Sequence, residues 1–216
     1  MRDIAIYGCG GFGREVLQII HALNAQVPQW TCLGFVVDPG IAHPDTVHGL
    51  PVVEDIAMLE RGTRADLAIG IGAPLVRRRV ADRMAANGHA FPALVHPRAW
   101  LGENISLGEG VLVCAGACLT TDITVDAHVH INLCATVGHD AVLGACSTIS
   151  PGANISGNVT LGAGVDIGTG ATVIQGVNIG EGAVIGAGAA VVRAIPPLCT
   201  AVGVPAKIIK TGAAAL

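Results

Sequence analysis

Between Ala99 and Ala194 the chain divides into sixteen consecutive six-residue words with no insertion or deletion. The third letter of every word is Leu, Ile or Val, from Leu101 and Leu107 through Ile131 and Val137 to Ile185 and Val191. The first letter is always Ala, Val, Ile or Ser. A period of six matches neither a helix nor a hairpin sheet, and it is the signature of a parallel β-helix. Three words close one triangular coil, so equivalent letters stack at the spacing of neighbouring strands, ~4.8 Å. The aliphatic third letters then build one continuous apolar column. The fourth letter is often Gly, as in Gly102, Gly108, Gly144 and Gly162, and these glycines are expected to make the bends.

Such a chain is short of charge. Only 13% of residues are charged and 3% are aromatic, against 30 glycines. A monomer with that surface would be sticky, so one flank of the coil is expected to be covered by self-association. The net charge of −4 argues against nucleic acid or an anionic membrane as partner. The uncharged run Ala141 to Val165 reads as hexads rich in Gly, Ser, Thr and Asn, not as a membrane span. No signal-peptide pattern opens the sequence, and seven cysteines without a C-x-x-C pair suit a reducing cytoplasm. Cys114, Cys118, Cys134 and Cys146 lie in the repeat and are expected to be small packing residues.

Ahead of the repeat the pattern changes to α/β. An apolar run from Asp3 to Tyr7 leads into Gly8-Cys9-Gly10-Gly11-Phe12-Gly13 and a helix over about Arg14 to Leu23. Strand, G-x-G-x-x-G and helix in that order form a phosphate-binding turn, since glycines admit the phosphate and the helix N-terminus supplies N–H donors. A second strand, Leu33 to Val37, ends at Asp38, where a Rossmann-like unit places an acid near a ribose. A third, Leu67 to Ile71, carries Gly70 and precedes a helix from Pro74 to Ala86, and a short fourth follows at Ala93 to His96. About 95 residues hold roughly one mononucleotide-binding half. The reading is therefore a nucleotide or nucleotide-sugar pocket rather than a dinucleotide site. Arg77, Arg78, Arg79 and Arg83 are expected to form a solvated helix face. His96-Pro97 marks the boundary between a Rossmann-like half-domain, 1–96, and the β-helix with a short C-terminal tail, 97–216.

Proton-transfer chemistry is rare inside the repeat. Its densest cluster is Asp126, His128, His130 and Asn132, followed by Gly138-His139-Asp140. His139 and Asp140 occupy the fifth and sixth letters of their word, hence a corner of the triangle. A carboxylate beside an imidazole fixes its tautomer and raises its basicity, as a general base requires.

The stretch GCGGFGREV from Gly8 to Val16, the hexads, Asn132, Gly138-His139-Asp140, Ser150-Pro151-Gly152 and Val202-Gly203-Val204-Pro205-Ala206-Lys207 together resemble one family. It is the bacterial sugar O- and N-acetyltransferases of the left-handed β-helix type. The resemblance spans nearly the whole chain and implies the left-handed coil, a homotrimer and active sites between neighbouring β-helices. It implies acetyl-CoA as co-substrate, no metal, and a nucleotide-linked amino sugar as acceptor, with a sugar hydroxyl as the alternative. It maps the base onto His139, its acidic neighbour onto Asp140, and a substrate-side Asn onto Asn132. The sugar nucleotide would lie on Gly10, Gly11 and Phe12, with further contacts at Val37, Asp38 and Gly70. Acetyl-CoA would run past Thr169 and Ala187. Where some relatives carry a second His that touches it, this chain has Thr148, which can still donate a hydrogen bond. The oxyanion is expected at the N–H of Gly157, one coil above His139.

Charge bears separately on the co-substrate. The repeat has seven acids and a single base, Arg193, so cations for CoA phosphates must come from elsewhere; Lys207 in the tail is the choice. A γ-carbonic-anhydrase-like metalloenzyme is the rival from another class. Its ligands would have to be His128, His130 and His139.

Overall fold

The computed structural model describes residues 1–60 and 64–212 and shows the repeat closed into a three-sided prism. Each word supplies one short strand and one corner. Strands pair in parallel with those 18 residues away, as in Cys118↔Thr136 and Val142↔Thr160. A first face runs from Trp100–Leu101 to Ala190–Val191, and a second from Ile105–Leu107 to Asn178–Ile179. The third runs from Leu112–Val113 to Val184–Ile185 and is extended by Thr200–Val202 and the antiparallel tail strand Lys207–Lys210. The expected column is present: Leu119, Ile131, Val137, Leu143, Ile149 and Ile167 are fully buried.

The bends are not where the glycine pattern puts them. The left-handed conformation falls on the sixth letter of the word, at Gly110, Gly152 and Gly164, and also at Asp122, His128, Cys134, Asp140 and Cys146. Fourth-letter glycines serve another purpose. A Cβ on Gly144 would lie 2.6 Å from the backbone carbonyl carbon of Gly162, so these glycines let successive coils close up. The corner geometry also decides the cysteines. Cys114 and Cys146 are buried and Cys118 is partly buried, whereas Cys134 is exposed on a corner, its sulfur over Gly116; all seven cysteines are free.

The front half comprises β1 (Arg2–Tyr7), α1 (Gly11–Gln26), β2 (Trp30–Val37), β3 (Thr46–Val47), β4 (Leu50–Glu54), α2 (Asp55–Glu60), β5 (Asp66–Ile69), α3 (Pro74–Ala86) and β6 (Leu94–Val95). Its sheet runs β3-β4-β2-β1-β5, all parallel except β3. α1 and α3 cover opposite faces, which makes the β1–β5 gap the switch point where ligands of such sheets bind. The β3–β4 hairpin and α2 were not expected from the sequence. Their one local signal is His48-Gly49, both at positive φ between Val47 and Leu50, the geometry of a two-residue hairpin turn.

The two halves share structure. β6 pairs with Leu112–Val113 of the third face, and Leu112 and Cys114 join the core beneath α1. Outward-pointing second letters on that face, Leu112, His130 and Thr148, are therefore buried. The same docking overturns the expectation for Arg77. It is wholly buried, because α3 turns that side of itself toward the prism, and solvent sees Arg78 instead.

Candidate active site

His139 stands on the corner between the first and second faces. Its Nδ1–H donates to Asp140 Oδ2 at 2.7 Å, which leaves Nε2 as the free acceptor. Asp140 can lie alongside only because the sixth letter is left-handed there, with φ 58°. Both side chains are about half exposed, 49% and 56%, so this pair orients the imidazole more than it stabilises the fold. The ring lies over Gly157, one coil on: a Cβ there would come within 2.6 Å of both Nε2 and Cε1. Among the described residues the N–H of Gly157 makes no backbone hydrogen bond. A Cβ on Gly138 would lie 2.5 Å from that nitrogen, so Gly138 lets the coils close up here as the other fourth-letter glycines do. One corner thus holds a base, its orienting carboxylate and a free N–H donor.

The other expected site residues fall on the corner between the third and first faces. Asn132 is there, its Oδ1 accepting from the N–H of Leu133. Above it climb Leu133, Pro151, Thr169 and Ala187, linked by bonds such as Gly170 N–H to Pro151 O and Gly188 N–H to Thr169 O. The tail crosses the end of this edge, where Ala206 N–H bonds Ala190 O and the exposed Lys207 begins the last strand. Within one chain the whole first face separates this edge from His139.

The glycine turn abuts the same third face. The Phe12 ring sits 5.0 Å from that of His130, while Gly10 and Gly11 are exposed at the start of α1. Gly70 meets the turn across the switch point: a Cβ on it would lie 2.6 Å from Gly13 Cα, which only paired glycines allow. Val37 is buried and offers only its backbone. Asp38 is already engaged, accepting from Tyr7 Oη at 3.0 Å and from Arg83. The buried Asp55 joins them, 2.8 Å from Tyr7 Oη and 2.9 Å from Arg83 Nη2. Burial and the two carboxylates push the Tyr7 phenol far up, so it remains a donor. This four-residue cluster was not visible in the sequence, since its members are scattered and only the sheet gathers them.

Thr148 does not reach outward. Its hydroxyl donates to Gly72 O and accepts from Arg77, inside the seam between the halves. The other two histidines of the repeat, His128 and His130, are buried. His128 packs edge-on against Phe91 and His130 is enclosed with neither ring nitrogen partnered among the described residues. No group of three or more His, Cys, Asp or Glu among the described residues is arranged to hold a metal ion. No described helix is long and apolar enough to cross a membrane.

Burial holds both buried imidazoles below their usual 6.5, with the Arg77 charge adding to the effect. They stay neutral in the fold, whereas the unfolded chain takes up protons once the pH drops through about 6.5. Stability therefore declines below that pH as the unfolded state gains protons the native state refuses. Thermal melts between about pH 7 and pH 5 should show the decline, and His130→Leu should flatten it. An unchanged slope in that variant would put the acid sensitivity elsewhere.

Comparison with known proteins bears on the family. Residues 3–84 match the PglD N-terminal domain family. The GDP-perosamine N-acetyltransferase of Escherichia coli O157:H7 is 28% identical over 158 residues, which are 71% of this chain and 69% of the relative. A histidine variant of perosamine N-acetyltransferase from Caulobacter crescentus, solved with CoA and GDP-perosamine, superposes with a TM-score of 0.88 at 32% identity, over 97% of this chain and 98% of that one. The acetyltransferase domain of PglB from Neisseria gonorrhoeae FA1090 gives 0.87 at 33% identity, over 97% and 100%. The fold is a left-handed β-helix fronted by an α/β half, shared with acetyltransferases. The chain belongs to the bacterial sugar acetyltransferases and is an acetyltransferase.

Proposed function

We propose that this enzyme transfers the acetyl group of acetyl-CoA to the amine of a nucleotide-linked amino sugar, directly and with His139 as general base. The observation that carries the reading is the orientation of His139: Nδ1 is tied to Asp140, and Nε2 faces out beside the open N–H of Gly157. As the amine nitrogen attacks the thioester carbon, Nε2 takes its proton and Asp140 stabilises the imidazolium. The Gly157 N–H donates to the developing oxyanion. The carbon–sulfur bond then breaks, and the proton passes from His139 to the departing thiolate. The products are the N-acetyl sugar and CoA. The CoA and GDP-perosamine held by the Caulobacter relative support both substrates.

The two parts divide the work, with 1–96 gripping the nucleotide and 97–216 carrying the chemistry. The glycine turn, Asp38 and Gly70 take the nucleotide and Asn132 meets the sugar; Thr169, Ala187 and Lys207, on the same edge as Asn132, take acetyl-CoA. Because His139 lies on a different edge from these, a complete site forms where the His139 edge of one copy meets the Asn132 edge of the next. Three copies close that arrangement in a ring. Light scattering should give a mass near three times 21.7 kDa; a stable, active monomer would refute the shared site. We place the enzyme in the cytoplasm, where its seven free cysteines stay reduced.

The deciding assay measures thiol release from acetyl-CoA with GDP-, UDP- and dTDP-linked amino sugars, alongside a free acidic sugar bearing only hydroxyls. Turnover with at least one nucleotide-linked amine is expected. Turnover confined to the hydroxyl acceptor would transfer the reading to O-acetylation.

A further inference from the structure

We propose that Arg77 is a positioning residue that sets the reach between the nucleotide-binding turn and the prism edge bearing Asn132. The inference rests on the function proposed above. The Arg77 side chain is the largest wholly buried one and makes six contacts of 2.7–3.0 Å, none to a carboxylate. Two of them end in the front half, on Ile71 O and Gly72 O. Four end on the prism: His128 O, Cys146 O, Ser147 O and Thr148 Oγ1. A planar fork of five N–H donors can bind both sides at once, which a lysine's three donors on one nitrogen cannot.

What the fork holds matters for the substrate. Ile71 and Gly72 directly follow Gly70, whose backbone touches Gly13 of the glycine turn. From the other side, Phe12 of the same turn rests on His130, which pairs in register with Thr148. Asn132 is two residues beyond His130. The turn is thus braced twice against adjacent strands of the third face, once through Phe12 and once through Arg77. A nucleotide bound to the turn then presents its sugar at a fixed height along the prism. Loss of the brace leaves the nucleotide grip intact and lets the amine drift, and misplacement on the order of 1 Å can cost a hundredfold in rate.

The test compares Arg77→Lys, Arg77→Met and Val80→Ala, the last a buried residue on the same helix with no polar side-chain group to bond either half. Steady-state kinetics with the best nucleotide-linked amino sugar are measured beside calorimetric affinities for GDP and UDP. In Arg77→Met, kcat should fall at least about tenfold, with nucleoside diphosphate affinity and the KM for acetyl-CoA within about threefold of the parent. Arg77→Lys should be intermediate, and it carries the test if the methionine variant does not fold. Kinetics like the parent's, or losses equal to those of Val80→Ala at matched stability, would overturn the proposal. If the parent acetylates no nucleotide sugar, the function fails separately. Hydrogen exchange then reads the brace: GDP or UDP should protect residues 128–132 and 146–148 in the parent and not in Arg77→Lys, and equal protection in both sinks it.

Discussion

Replacing His139 by alanine is expected to lower kcat at least about a hundredfold, with KM for both substrates changed by less than about threefold. Among the described residues the imidazole has no hydrogen-bond partner besides Asp140, and it is half exposed. The melting temperature should therefore be unaffected, which separates lost chemistry from lost structure. Asp140→Asn should cost less, about tenfold, because a pair this exposed is screened by solvent and acts through orientation. Stopped-flow thiol release measures both. A His139→Ala enzyme with parental kcat would remove the residue from the mechanism and leave the corner without a base.

Gly157→Ala should be nearly silent in folding and costly in catalysis. Its φ is not in the left-handed range, so alanine meets no backbone penalty there. What the new methyl meets is the His139 ring, at 2.6 Å from Nε2 and Cε1. An exposed side chain can swing away cheaply, so stability holds. The swing takes Nε2 off the line between acceptor and oxyanion and puts a methyl beside the N–H donor. Losing one such donor alone is worth about a hundredfold in kcat, and displacing the base can only add to it. Comparing kcat with the melting temperature checks the split. A variant that unfolds while the folded fraction keeps full activity would contradict it.

The shared-edge arrangement proposed above would account for the chain's low charge. Trp100, Leu133, Ile174 and Val192 are exposed apolar residues on the first face or on its two borders. That is the surface lying between the His139 edge and the Asn132 edge, where a neighbouring copy would sit.

From the sequence alone, the hexads determine the prism, its apolar column and the corner on which each candidate residue such as His139 stands. The physical reason is that the repeat couples local pattern to global position: residues 18 apart must stack, so His139 and Gly157 are neighbours by arithmetic, as are Thr169 and Ala187. The glycine turn was legible for a similar reason, its strand, turn and helix being contiguous. Only the tertiary structure decided what happens on the third face. No period in α3 marks Arg77 as different from Arg78, and no hexad rule buries Thr148 or His130; the docking of the α/β half against that face does so. Likewise Asp38 becomes a partner of Arg83, Tyr7 and Asp55 only when the sheet brings four distant segments together, because ion pairing between distant residues leaves no periodic trace.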